Sequence, residues 1–175
     1  KGVYAAEDSD FATTGSARIE YLRQLDRSSV DTGLGQNNYR RVLAAGGQEF
    51  NGFNLLGALE VSGNDGPWDQ PEDLKKYNGV LRLTSGTAAN GFSLTGMAYQ
   101  ADWTATEHVP ERAITSSEIG RYGALSPNDG GKTHRYSLAG DWAQITATGA
   151  RKASLYVIDY GLNLFSAPSG YISGA

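Results

Sequence analysis

Two histidines, His108 and His134, are the only imidazoles in the chain, and it contains no cysteine. Thiolate nucleophiles, thiolate metal sites and disulfide frameworks are thereby excluded. A serine or threonine nucleophile needs a base beside it, yet no Gly-x-Ser-x-Gly elbow occurs and neither histidine sits in a triad-like pattern. His108 and His134 bracket one long polar stretch with Glu107 and Asp129, a set of donors that suits divalent ions but reads first as two loop imidazoles. The acidic run Asp65, Asp69, Glu72 and Asp73 lacks the spacing of a calcium loop, and Asp65-Gly66-Pro67 is turn chemistry. Gly130-Gly131-Lys132 lacks the spacing of a phosphate loop, so Asn128-Asp129-Gly130-Gly131 also reads as a turn. Thr115 to Gly120 reads as one helical turn with Ser117 as its cap. The expectation is a protein that is not an enzyme, with no cofactor and no metal site.

The elements that would position any site are strands. The chain has 23 Gly, 10 Tyr, 3 Trp and 5 Phe but only 5 Pro and 1 Met, a composition that favours strands and turns over helical bundles. Five segments alternate with period two. Phe53 to Val61 sets Phe53, Leu55, Gly57, Leu59 and Val61 on one face. Tyr77 to Thr84, Phe92 to Ala98, His134 to Trp142 and Ser154 to Leu164 repeat the pattern. Two further candidates, Ser29 to Gly35 and Tyr39 to Ala45, meet at Asn37-Asn38, a pair that tolerates the positive φ of a tight hairpin. The predicted connections alternate: short at 48–52, longer at 63–76, short at 85–91, very long at 104–133 and short at 146–152. Long and short loops therefore fall on opposite ends of the sheet.

That asymmetry, with Tyr77, Trp142, Tyr160 and Phe165 near strand ends, matches outer-membrane barrels, which have short turns on one side, long loops on the other and aromatic girdles at the interfaces. The mean hydropathy of -0.41 is compatible, because such a barrel turns only alternate residues to lipid. The 15 basic residues are scattered and the net charge is -4, which leaves no electrostatic footprint for nucleic acid.

A series of phrases in order resembles the TonB-dependent receptors of the Gram-negative outer membrane: Asp10-Phe-Ala-Thr-Thr-Gly-Ser-Ala-Arg-Ile19, Tyr39-Arg-Arg-Val-Leu-Ala-Ala45, Asn64-Asp-Gly-Pro-Trp68, Tyr77-Asn-Gly-Val-Leu-Arg82, Trp103-Thr-Ala-Thr106 with Val109-Pro-Glu-Arg-Ala113, Asp129-Gly-Gly-Lys132 and Arg135-Tyr-Ser-Leu138. In that family a globular plug fills a large barrel, and Gly15 to Tyr21 is similar to the last plug strand. The resemblance implies an all-β chain: residues 1–25 as the end of a plug, and 26–175 as about seven antiparallel strands of a transmembrane barrel that needs further strands to close. It also implies an outer-membrane location, lipid around the barrel, an extracellular small-molecule ligand such as a metal chelate, and energy from a TonB complex engaged by a more N-terminal part.

On that resemblance, Trp68, Trp103, His108, Arg112 and Tyr122 are the candidate ligand contacts, since aromatics and cations grip large polar ligands. Glu60, Arg82, Arg135, Asp141 and Asp159 are expected on the lumen side, where Arg18 and Glu20 of the plug strand would pair with them. The alternatives are a passive porin-like barrel and a soluble carbohydrate-binding β-sandwich. The tail after Phe165 yields no reading.

Overall fold

The computed structural model describes residues 21–105 and 109–166. Seven antiparallel strands form one meandering sheet in chain order: β1 (Ser29–Leu34), β2 (Arg40–Phe50), β3 (Phe53–Asn64), β4 (Leu74–Gly86), β5 (Gly91–Thr104), β6 (Gly130–Thr146) and β7 (Gly149–Phe165). A short helix, α1 (Glu111–Thr115), lies in the loop between β5 and β6. β1 and β7 are the two edges of the sheet. The expected strands are all present, and most run further into the connections than their alternating cores.

Turn chemistry fixes the hairpins. Asn37 and Asn38 take φ of 53° and 57° between β1 and β2, as their tolerance of the left-handed region predicts. Asn51 and Gly52, with φ of 49° and 78°, form a two-residue turn between β2 and β3, the conformation whose twist matches antiparallel strands. β6 and β7 are joined at Ala147-Thr148, and β4 and β5 by 87–90. All three of these short turns lie at one end of the sheet. The other end carries 35–39, 65–73 and the longest loop, 105–129.

α1 begins directly after Pro110, an extended N-cap residue with φ of -63° and ψ of 133°, so the helix forms earlier than the expected Thr115 to Gly120 turn. Ser117 is not its cap; it follows the helix with φ of 61°. Ala113 is fully buried and anchors the turn.

Because directly paired residues share a face, the register sorts the side chains into rows. One face carries Leu55, Leu83, Leu94, Gly140 and Leu155 in one row, Gly57, Leu81, Gly96, Leu138 and Val157 in the next, and Leu59, Gly79, Ala98 and Tyr136 above them. At the short-turn end it is bordered by Phe50, Phe53, Phe92 and Trp142. Phe50 stacks on Phe53 at 5.9 Å, and Phe53 meets Phe92 edge-on at 6.1 Å. The opposite face carries Leu56, Arg82, Thr95 and Ala139 in one row, and Asn54, Thr84, Ser93, Asp141 and Ser154 in another.

The two faces differ in burial. On the polar face Thr84, Ser93 and Thr95 are 0%, 5% and 4% exposed, while on the apolar face Leu59 and Leu81 are 56% and 58% exposed. The only buried apolar residues among those described are Leu56, Ala101 and Ala113.

One expectation is corrected by register. Arg135 pairs with Tyr160 and Tyr136 with Asp159, so Asp159 shares the apolar face with Tyr136 and not the polar face with Glu60 and Arg135. The side-chain period is two, and the hairpin at Ala147-Thr148 sets its parity in β7, a choice that alternation within β7 cannot reveal. Tyr156, Ile158, Tyr160, Leu162 and Leu164 accordingly lie on the polar-face side, and Leu155 and Val157 on the other. At its loop end Asp159 lies 3.6 Å from His134.

Candidate functional site

The polar face is built around charges. Arg41 bridges Asp31 at 2.8 Å and Glu60 at 2.6 Å, and Lys76 reaches Glu60 at 2.8 Å, so the network spans four strands. The described partners of Glu60 are on the sheet itself. Asp141 likewise accepts hydrogen bonds from Ser154 at 2.8 Å and Ser93 at 3.2 Å. Arg82 donates to the Thr95 hydroxyl at 2.6 Å. Glu60, Arg82, Arg135 and Asp141 do share this face; Arg18 and Glu20 lie outside the described residues.

Residues 21–25 cross the polar face near the short turns before the chain enters β1. The Tyr21 hydroxyl lies 3.3 Å from the Met97 sulfur, and its ring faces the Arg82 guanidinium at 5.7 Å. One Arg23 nitrogen donates to the carbonyls of Ser85, Gly86 and Phe92 at 3.1, 3.2 and 3.4 Å, around the β4–β5 turn. The Arg23 carbonyl in turn accepts from the Thr84 hydroxyl at 3.4 Å. Thr84, in contact with this strap, is fully buried. The sequence reading placed the segment inside a barrel but missed Arg23 as its anchor, because turn carbonyls leave no mark in sequence.

Charge-assisted hydrogen bonds of this kind contribute about 1.5–3 kcal/mol, and the lower end suits a half-exposed arginine. Arg23→Ala is therefore expected to raise the rate of limited proteolysis at residues 21–28 about tenfold, with the sheet itself unchanged. Equal cleavage rates in the two proteins would remove Arg23 from this role.

At the other end, the loops after β3 and β5 pack on one another. Trp68 and Tyr122 lie 6.1 Å apart at 56°, the Trp68 indole donates to Glu72 at 2.7 Å, and the Gln70 amide donates to the Pro127 carbonyl at 2.7 Å. The Asp69 amide donates to the Tyr122 carbonyl at 3.0 Å. Of the five expected ligand contacts, the structure brings Trp68 and Tyr122 together. Trp103 lies in β5, with its ring packed over the Cα of Gly131. Arg112 lies in α1, and His108 falls outside the described residues.

The acidic residues of the β3–β4 loop have separate partners: Glu72 holds Trp68, and Asp73 pairs with Lys75 at 2.9 Å. No three of the described histidines and carboxylates come together as a metal site. No helix among the described residues is long and apolar enough to cross a membrane, which says nothing about crossing by strands. Comparison with protein-family models, with curated proteins and with solved structures gives no match.

Proposed function

We propose that this chain forms part of a β-barrel of the Gram-negative outer membrane, a receptor of the TonB-dependent kind that takes up a scarce nutrient such as a metal chelate. The observation that carries the reading is the inverted burial, polar residues covered and aliphatic residues exposed, which is what lipid outside and a filled lumen inside require.

Dimensions agree. Phe53 to Val61 spans about 27 Å at about 3.4 Å per residue. Tilted as barrel strands are, that becomes roughly 20 Å, close to the apolar band of about 25 Å that such barrels present. The upper limit of the band also steps. It reaches Val61 and Tyr77 on β3 and β4, Ala98 and Tyr136 one row lower on β5 and β6, and Val157 a further row lower on β7. Tilted strands cut by a flat membrane produce such a staircase. A β-sandwich needs a second sheet over the apolar face, and the described strands all belong to one sheet.

In this reading β1 and β7 pair with further strands, the strap of residues 21–25 leads from a lumenal plug, and the long loops face outward to meet the ligand. Gating and coupling to an inner-membrane TonB complex follow from the resemblance in the phrases at 10–19, 39–45 and 135–138. The role is transport, with no catalytic step.

Trp142 tests the membrane reading, because it stands in the aromatic row of the apolar face while Trp68 and Trp103 sit at the long-loop end. With Trp68 and Trp103 replaced by Phe, brominated lipid is expected to quench most of the remaining fluorescence of the reconstituted protein. Unquenched Trp142, or a protein folded in buffer without detergent, would overturn the reading.

A further inference from the structure

At the long-loop end of the apolar face, Arg40 pairs with Gly63 and Gly63 with Lys75, so two cations flank a residue that has no side chain. A Cβ on Gly63 would stand 3.1 Å from Arg40 Nε and 3.6 Å from Arg40 Cγ, which shows the arginine lying over the glycine. The two charges are close enough to repel each other. Arg40 has no ion-pair partner among the described residues, while Lys75 holds Asp73 at 2.9 Å. That pair is exposed and therefore weak, and an ammonium has further N–H donors to offer. With Val42, Val61 and Tyr77 in the row beneath, the cations line a cleft of about 190 Å³.

On the same face, directly below this cleft, lies a groove of about 610 Å³. Its floor is Ala44, Gly46 and Gly57, with Val30 on one side and Leu59 and Leu81 on the other. From Val42 to Gly46 the floor extends about 14 Å at about 3.4 Å per residue, or roughly 10 Å once the strands tilt. That depth fits within one leaflet's half of an apolar band of about 25 Å. β5 and β6 combine no such features. In the same row Lys132 is neutralised by Asp102 at 3.5 Å, and beneath them His134 and Tyr136 stack on one another.

We propose that β2 to β4 hold one anionic lipid, its phosphate between Arg40 and Lys75 and an acyl chain in the groove below. The proposal rests on the membrane reading and adds a specific occupant to it. A phosphate accepts charge-assisted hydrogen bonds from both cations and relieves their repulsion. Gly63 lets it sit close to the sheet, and the small residues of the floor leave room for the chain. Each basic side chain at a bilayer surface favours an anionic headgroup by about fivefold.

The test uses the reconstituted protein with Trp68, Trp103 and Trp142 replaced by Phe and with Tyr77→Trp as its one indole. Phosphatidylcholine vesicles contain a minor fraction of phosphatidylglycerol, and either lipid is brominated near the top of its acyl chains. Phosphatidylglycerol is expected to be enriched around the indole about fivefold or more over phosphatidylcholine. Arg40→Gln and the groove-filling Ala44→Phe are each expected to bring the enrichment to about twofold or less, while Lys132→Gln leaves it in place. Arg40, Ala44 and Lys132 are exposed on the sheet, so their replacement leaves folding intact. Equal quenching by the two lipids, a loss in Lys132→Gln as large as in Arg40→Gln, or full enrichment in Ala44→Phe overturns the lipid site and leaves the membrane reading standing. Displacement of the lipid by inorganic phosphate at constant ionic strength would make free phosphate the ligand and likewise overturn it. No quenching by brominated phosphatidylcholine would bring down the membrane reading and the site with it.

Discussion

Leu81→Arg is expected to destabilise the bilayer-inserted protein by about 2–4 kcal/mol, the cost of an arginine near the midplane of a barrel's lipid face. That corresponds to about thirtyfold to several-hundredfold in the folding equilibrium, read from denaturant titration in lipid vesicles. Leu81 lies in the middle row of the apolar face with Gly57, Gly96 and Leu138, and is 58% exposed, so no protein atom need move to admit the new side chain. On the proposed membrane reading the penalty comes from lipid. Asn78→Arg supplies the contrast, because Asn78 is exposed on the other face of the same strand and stands directly across from Glu60. Its change is expected within about 0.5 kcal/mol, as for ordinary surface positions. If Leu81→Arg is equally mild, the apolar face meets water and the membrane reading fails.

The second large effect belongs to the β4–β5 hairpin. A Cβ at Gly91 would meet the Ser85 carbonyl oxygen well inside contact distance and would stand 2.8 Å from the Thr87 carbonyl oxygen. Both obstacles are backbone, held by the turn bonds from Thr87 N to Asn90 O at 2.9 Å and from Asn90 N to Thr87 Oγ1 at 3.0 Å. Neither can yield without opening the hairpin. Gly91→Ala is therefore expected to cost about 3 kcal/mol or more, at the upper end of overpacking effects. Opening this turn also displaces the Ser85, Gly86 and Phe92 carbonyls on which Arg23 rests, so the strap should become protease-sensitive in the same variant. Gly79→Ala provides the comparison, since a Cβ there meets only the Leu59 methyl at 3.7 Å and the Ala58 carbonyl at 3.8 Å. Equal stabilities of the two variants would show that the close approach at Gly91 carries no weight.

The two substitutions probe different layers of one design. Leu81 reports on what surrounds the sheet, and Gly91 on what fastens the strap across its polar face.

Much of the strand architecture is legible in the sequence because the alternation of Phe53, Leu55, Gly57, Leu59 and Val61, and of its counterparts in β4 to β6, is a local consequence of the pleat. Asn37-Asn38 marks its own hairpin for the same reason, since positive φ is a property of single residues. The division of short turns and long loops between the two ends needs only counting along the chain. Trp68 and Tyr122 belong to different loops, and the folded loops bring them together.

Other features depend on pairing between strands. Asp159 lies on the apolar face because the β6–β7 register sets its parity, and a register one residue different would reverse it. Glu60 and Asp141 find partners on neighbouring strands because residues far apart in sequence become adjacent only across the ladder. Arg23 anchors the strap through backbone carbonyls that only the folded β4–β5 turn brings within its reach. Alternation along the strands is enough to give the sheet an apolar and a polar face. Packing decided which face is covered, because burial is a property of what lies opposite a residue, and the chain records that only after it has crossed its own sheet.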